Sequence, residues 1–347
     1  MKQRPEKKIE RAVVIGDGGW GTALALMLMR TGVRTTLWSA FAEQAREIQA
    51  ARENKRFLPG VPLPRDLVVT ADPFDAARDA DLAISAVPTQ FLREVAARFE
   101  DALKGDVPIV SATKGIEIET FRTPMPILRE VLGDRPLAVL SGPSHAEEVA
   151  RGLPASVVCA SRDLKLALRV QEILSGDSFR VYSSHDPLGA ELGGALKNVI
   201  AIAAGISDGL GLGDNAKAAL LTRGMVEMAR FGAAQGAEPA TFFGLAGIGD
   251  LITTCCSPYS RNRSVGEQIG KGRSLRDILT GMNMVAEGIW TTKALFGPEA
   301  EGASVSLPIA EQVHAVLFED KDPRDAVLDL MRRAPAGEMD GLVKDLA

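Results

Sequence analysis

Apolar residues follow two different rhythms along this chain. In the first half they gather in short runs: Ala12-Val13-Val14-Ile15, Arg34-Thr35-Thr36-Leu37-Trp38, Val68-Val69-Thr70, Leu82 to Pro88, Pro108 to Gly115, Leu137 to Ser144, Ala155 to Ala160 and Phe179 to Tyr182. Short, mostly β-branched runs that stop at glycine or small polar residues predict strands of a buried sheet. Beyond residue 185 such runs cease. Apolar residues then recur at helical spacing through Ala216 to Ala234, Leu275 to Met282, Thr291 to Phe296, Ile309 to Phe318 and Ala326 to Arg333, which predicts an all-helical part. The pattern divides the chain into an α/β segment, 1–185, and a helical segment, 186–347. The proline-rich stretch Asn54 to Pro64 reads as a rigid connector, and the glycine-rich Gly205 to Gly213 as the link between two helices.

The helix expected from Asp186 to Gly205 has an unusual face. Leu188, Leu192, Leu196, Val199 and Ile202 make its apolar stripe, while the neighbours of Lys197 on the helix surface are Ala190, Gly193, Gly194, Ala201 and Ala204, with Ile200 the only bulky one. An interior glycine costs a helix roughly 0.5–1 kcal/mol relative to alanine, so two beside a lysine imply that a backbone or a ligand comes very close. Most helix lysines are solvated. A lysine in a trough of small residues loses hydration, and moving its pKa from about 10.4 to about 8 takes on the order of 3 kcal/mol. Lys197 is therefore a candidate general acid/base.

The first strand runs into Gly16-Asp17-Gly18-Gly19-Trp20-Gly21, followed by a helical pattern from Thr22. Glycines at this spacing between strand and helix predict a dinucleotide site: Gly16 permits the tight turn, Gly18 admits a pyrophosphate, Gly21 lets helix pack on strand, and the helix N-terminus offers N–H groups to the anion. The second strand ends not in an acid but in Ser39, Ala40 and Phe41, so NAD and NADP both stay open. Asp17 is unfavourable in a phosphate loop unless it points away or finds a donor. In a doubly wound sheet the ligand lies across the carboxyl ends of the strands, which puts Lys114 and Ser144 beside the cofactor.

Two further clusters stand in the helical segment. Gly244-Leu245-Ala246-Gly247-Ile248-Gly249-Asp250-Leu251 sets an acid in a glycine-rich turn, where it either caps the next helix or faces a site. Ser260-Arg261-Asn262-Arg263-Ser264 places two guanidinium groups at an expected helix start, which suits either a phosphate cradle or a surface turn. Cys255 and Cys256 have no histidine paired with them in sequence and read as structural.

Composition narrows the class. Of 347 residues, 46% are hydrophobic and 24% charged, and 40 dispersed basic residues within a net charge of −5 form no stripe for nucleic acid. Three cysteines and three scattered histidines give neither a disulfide framework nor a metal-ligand spacing. No apolar run approaches the roughly 18 residues of a membrane span, and the basic N-terminus leads straight into the glycine loop without a signal peptide's apolar core. A metal-free cytoplasmic protein is expected.

In this order, GDGGWGTALA, NKRFLPGVPLP, SAVPTQ, SATKG, SGPSHAEEVA, LGGALKNVIAIAAGISDGLGLGDNAKAALLTRG, GLAGIGDL and SRNR resemble the bacterial, soluble NAD(P)-dependent glycerol-3-phosphate dehydrogenases, from about residue 11 to 335. The resemblance implies a Rossmann-like N-terminal domain with a helical C-terminal domain, a cytoplasmic dimer, and reduction of dihydroxyacetone phosphate to sn-glycerol 3-phosphate, the backbone precursor of membrane phospholipids. It implies Lys197 as proton donor and acceptor, with Lys114 and Asp250 as its catalytic neighbours. It assigns Lys114, Gly142, Ser144, Lys197, Asn198, Asp250, Thr254, Ser260, Arg261 and Asn262 to the substrate. To the cofactor it assigns Gly16, Gly18, Gly19, Trp20, Gly21, Ala40, Lys114, Ala146, Arg261, Val285 and Glu287. The chain departs from the family at Asp17, usually alanine; at His145, usually aromatic; and at Ala40, often basic. Two other readings remain: a β-hydroxy acid dehydrogenase, which carries its lysine and asparagine one helical turn apart, and a non-catalytic dinucleotide sensor.

Overall fold

The computed structural model describes residues 8–282, 285–300, 305–335 and 337–338; the start of the basic N-terminus and the end of the helical segment lie outside them. Ten strands are found among these residues: β1 (Arg11–Ile15), β2 (Arg34–Trp38), β3 (Glu53–Asn54), β4 (Leu58–Pro62), β5 (Val68–Thr70), β6 (Leu82–Ser85), β7 (Ile109–Ser111), β8 (Leu137–Ser141), β9 (Ala155–Ala160) and β10 (Phe179–Ser184). Eight form one sheet in the order β10-β9-β8-β7-β6-β1-β2-β5. The order reverses at β1, which pairs in parallel with both β2 and β6. Val13, Val14, Leu82, Ala83, Ile84, Ile109 and Val110 are fully enclosed, as strands covered by helices on both faces must be. The fold is a Rossmann-like doubly wound sheet followed by helices. One pair departs from the parallel pattern: β9 runs antiparallel to β8 and parallel to β10.

The stretch expected to be a plain connector is more than that. Residues 53–62 form the antiparallel hairpin β3–β4, which folds over the glycine loop. Buried Asn54 donates to the Asp17 carbonyl at 2.7 Å and to the Thr22 hydroxyl at 2.8 Å. Its Oδ1 accepts from the Phe57 amide at 3.2 Å.

The lysine helix spans Pro187–Leu210, with Asp186 as N-cap accepting from the Gly189 amide at 2.9 Å. Gly205 and Gly209, read above as part of a link, lie inside it; only Gly211 to Gly213 make the turn into the next helix, Asp214–Ala234. The physical reason is a helix crossing. A methyl group on Gly205 would stand 2.0 Å from the Arg263 carbonyl oxygen, and one on Gly266 would stand 2.0 Å from that of Ile202. Glycine here allows the helix Arg261–Gly270 to lie backbone to backbone against the lysine helix.

By length and composition Pro187–Leu210 would also cross a membrane, contrary to the expectation that no segment approaches a span, yet it is almost wholly buried within the protein. A helix that is apolar nearly all round serves equally as a core helix.

Candidate active site

The lysine trough is filled from the sheet side and from the helical side at once. A Cβ on Gly193 would meet the Ala246 carbonyl oxygen at 2.4 Å, and one on Gly194 would meet Ser141 Oγ at 3.1 Å and Lys114 Cγ at 3.2 Å. Both glycines thus answer to close protein neighbours. This lets Lys114, which follows β7, run alongside the helix toward Lys197.

The two ammonium groups share one carboxylate. Lys197 Nζ donates to Asp250 Oδ1 at 2.6 Å and to Thr254 Oγ1 at 2.7 Å. Lys114 Nζ donates to Asp250 Oδ2 at 2.6 Å and to the Gly142 carbonyl at 3.0 Å, with Ser144 Oγ at 3.5 Å. Asp250 does not cap its helix. It is the first residue of Asp250–Cys256, delivered by the π-helical turn Leu245–Gly249, and its side chain turns inward to the lysines. Such wide turns frequently mark functional sites.

Burial governs the electrostatics. Lys197 is 6% exposed and Asp250 1%. Loss of water pulls the Lys197 ammonium down to about 8; Asp250 opposes that fall and Lys114 adds to it. Burial alone would raise the Asp250 carboxyl, but Lys114 and Lys197 together hold it below the ordinary carboxylate range.

Behind the lysine runs a chain of amides. The Gly288 amide donates to Asn262 Oδ1 at 2.9 Å, Asn262 Nδ2 to Asn198 Oδ1 at 2.9 Å, and Asn198 Nδ2 to the Gly194 carbonyl at 3.2 Å. The two asparagine oxygens are thereby occupied, and the Asn262 side chain couples two helices. Ser260 caps the helix Arg261–Gly270 by accepting from the Arg263 amide at 3.2 Å, which leaves the first-turn N–H groups of Arg261 and Asn262 for an anion. Of the two guanidinium groups expected in the cradle, only that of Arg261 faces the site, where Nη1 donates to the Val285 carbonyl at 2.8 Å. Arg263 turns away to Asp208 at 2.7 Å and Glu267 at 3.4 Å.

These groups line a single cavity of about 190 Å³. It brings together Trp20, Lys114, Ser144, Lys197, Asn198, Asp250, Thr254, Ser260, Arg261, Asn262, Val285 and Glu287. Its wall also holds His145, Thr253, Tyr259 and Ala86-Val87-Pro88 just beyond β6, to which no site role was assigned; the signals were the departure at His145 and the SAVPTQ segment of the resemblance. Burial and the charge of Lys197 lower the imidazole's pKa. Glu287 reaches across from the helix Glu287–Leu295 to accept from the Thr89 amide at 2.8 Å, and burial pushes its carboxyl up to about 7.

The expected cofactor residues Gly16, Gly18, Gly19, Gly21, Ala40 and Ala146, with Gly142 of the substrate set, are not in the wall of this cavity. Gly16 adopts φ 111°, and a Cβ on Gly21 would stand 1.9 Å from its carbonyl oxygen, so the turn and the helix packing both require glycine. A Cβ on Gly19 would meet the Phe57 carbonyl oxygen at 2.7 Å and the Ala146 methyl at 3.5 Å, while one on Gly18 would project where no protein atom lies within 4 Å. No side chain caps the helix Gly19–Arg30, whose first N–H groups are free for phosphate oxygens. This cradle fits a dinucleotide.

Asn54 opens the NKRFLPGVPLP segment of the resemblance, but its supporting role is not assigned there. Removing its amide in Asn54→Ala leaves the buried Asp17 carbonyl with only the longer 3.3 Å bond from the Thr22 hydroxyl and takes that hydroxyl's own donor away, at a cost of about 1–3 kcal/mol. Denaturant unfolding should show that loss and dinucleotide titration a weaker complex; unchanged values in both would mean that the hairpin does not hold the loop.

Comparison with known proteins draws on both halves of the chain. The model of the NAD-dependent glycerol-3-phosphate dehydrogenase N-terminus matches residues 11–167, and that of the C-terminus matches residues 186–328. Glycerol-3-phosphate dehydrogenase (NAD(P)+) of Chlorobium phaeobacteroides is 48% identical over 332 residues, 95% of this chain and 99% of its own length. The protein of the same name from Geobacillus thermodenitrificans is 47% identical over 343 residues, covering 98% and 99%. The crystal structure of glycerol-3-phosphate dehydrogenase from Coxiella burnetii superposes with a TM-score of 0.90 at 39% identity, covering 94% of this chain and 99% of that one.

Proposed function

The chain belongs to the NAD-dependent glycerol-3-phosphate dehydrogenase family, and on that premise we propose how its residues divide the work. It is an NAD(P)-dependent oxidoreductase that reduces dihydroxyacetone phosphate to sn-glycerol 3-phosphate, reversibly. Bound nicotinamide dinucleotide supplies or accepts the hydride. Protonated Lys197 gives its proton to the substrate oxygen as negative charge develops there, and neutral Lys197 removes the hydroxyl proton in the reverse direction. Lys114 polarises the same oxygen, Asp250 orients both ammonium groups, and Thr254 holds Lys197 from the other side. Arg261 and the first-turn N–H groups of its helix take the phosphate.

The observation that carries this reading is the trio Lys114–Asp250–Lys197 at one end of a cavity that also holds Arg261. A β-hydroxy acid dehydrogenase would present a cradle for a carboxylate and an asparagine one turn from its lysine; here Asn198 adjoins Lys197 and pairs with Asn262. The trio is also more than a sensor needs. Residues 1–185 take the dinucleotide and 186–347 the substrate in this assignment, and the active form is a cytoplasmic homodimer.

The test is nicotinamide absorbance during reaction with dihydroxyacetone phosphate, with unphosphorylated dihydroxyacetone as control. Turnover is expected only with the phosphorylated substrate. Equal rates on both would remove the phosphate cradle from the mechanism. Arg261→Ala removes charge-assisted bonds worth about 1.5–3 kcal/mol and should raise KM for dihydroxyacetone phosphate about ten- to a hundredfold with a smaller change in kcat. An unchanged KM would assign the phosphate elsewhere.

A further inference from the structure

Lys114 must hold its ammonium beside Asp250, yet it stands in a loop: β7 ends at Ser111 and the chain next enters a helix at Pro124. Just before Lys114, the Thr113 hydroxyl donates to the Val87 carbonyl at 2.7 Å. Just after it, the loop crosses into the other part of the molecule. Ile116 is 1% exposed and belongs to the apolar core of the helical part, and Ile118 and Phe121 pack against that core. Phe121 meets Phe231 edge-on, with ring centres 6.4 Å apart.

The helix Thr89–Ala97 grips this crossing with two side chains, three residues apart on one face. Gln90 Nε2 donates to the Ile116 carbonyl at 2.8 Å, and Gln90 Oε1 accepts from the Ile118 amide at 3.1 Å. Arg93 donates to the Glu117 carboxylate through Nε at 3.0 Å and Nη2 at 2.8 Å. The two grips differ in kind. Arg93 holds the end of a side chain, whereas Gln90 holds the main chain on both sides of Glu117, starting two residues after Lys114.

Gln90 is not in the wall of the cavity, so it reaches the chemistry only through what it holds. We propose that Gln90 is a positioning residue for Lys114: by fixing the main chain at Ile116 and Ile118, its amide keeps the Lys114 ammonium on Asp250 and at the reacting oxygen. Without that amide, Ile116 still anchors the loop in the helical core, but the backbone between this anchor and β7 gains freedom to rotate. A misplacement of about 1 Å can cost a reaction about a hundredfold in rate. This role rests on the reading of Lys114 and Lys197 given above and adds what keeps a loop lysine in place.

The test is steady-state reduction of dihydroxyacetone phosphate across pH by the wild type, Gln90→Met and Arg93→Met. Methionine keeps the length of glutamine and loses both hydrogen bonds. Gln90→Met should lower kcat about ten- to a hundredfold with a smaller change in KM, because Arg261 and its helix still hold the phosphate. It should also move the pH at which reduction falls. Lys197 is faced by Asp250, which raises its pKa, and by Lys114, which lowers it, with the Cys255 thiol and the His145 imidazole as further titratable neighbours. Once Lys114 is displaced, the midpoint should rise above the wild-type value of about 8. A merely destabilised protein would lose rate equally at every pH. Arg93→Met breaks the ion pair on the same loop, and it should lower the thermal midpoint of unfolding while leaving kcat and the pH midpoint close to wild type. An unmoved pH midpoint in Gln90→Met, or the same losses in both variants, would overturn the assignment. If Gln90→Met does not fold, Gln90→Asn, which carries the amide on a stem one carbon shorter, is read by the same two measures. A wild-type rate that does not fall near pH 8 would instead overturn the Lys197 reading beneath it.

Discussion

Lys197→Met is expected to lower turnover by about a hundred- to ten-thousandfold while leaving dinucleotide binding close to wild type, the range that a positioned proton donor contributes. Methionine fills the same trough between Gly193, Gly194 and Ala201 without a charge. Asp250 keeps Lys114 as a partner at 2.6 Å, so the variant does not strand a buried carboxylate. The pH dependence has a definite sign. Burial places the Lys197 transition at about 8, so the ammonium needed to protonate the ketone oxygen is present below that pH and lost above it. The reduction rate should therefore fall as pH rises through about 8, and oxidation of glycerol 3-phosphate should rise over the same interval. Single-turnover rates across this range would read both limbs. A variant that retains wild-type turnover, or a wild type whose two directions respond alike, would take the proton from Lys197 and give it to another group.

The second large effect is structural. Gly266→Ala places a methyl group 2.0 Å from the Ile202 carbonyl oxygen, backbone against backbone, so the two helices must separate. Overpacking of this kind costs typically about 1–3 kcal/mol and occasionally more. It should also disturb the substrate end, because the displaced helix carries Arg261 and Asn262 while the fixed one carries Lys197 and Asn198. Chemical denaturation should show the stability loss, and KM for dihydroxyacetone phosphate should rise with it. Gly176→Ala is the control, since its added methyl meets nothing within 4 Å. If the two variants unfold alike, the crossing is more compliant than its contacts imply.

That crossing also shows where sequence and structure part company. A glycine marks either a turn or a close approach, and the residue itself carries no sign of which; Gly205 and Gly209 looked like a turn because others follow at Gly211 and Gly213. The strands were legible because an apolar run buried on both faces is distinctive, but the reversal of β9 against β8 was not, since a fully buried strand looks the same in either direction. Lys197 stood out through its small neighbours, and Lys114 and Ser144 through their positions after strands. The fate of Arg263 depended on Asp208, a partner 55 residues away. Asn54 heads a segment of the resemblance, but its role was hidden for a similar reason: it lies in the carbonyl of Asp17, a backbone group that no side-chain pattern encodes.

The lysine helix has one more implication. Ala190 near its start belongs to the apolar cluster of the sheet, while Leu192, Val199 and Ile202 belong to that of the helical part. Near its N-terminus, Glu191 accepts from the Met125 amide and the Thr123 hydroxyl at 2.7 Å each. A segment this apolar has no stable address in water until both neighbours exist. During synthesis it leaves the ribosome after the sheet and before most of the helices that will cover it, so the nascent chain passes through a stage in which its greasiest element is half housed. Because that helix packs on both parts, a chain cut between residues 185 and 186 is expected to yield neither part in native form.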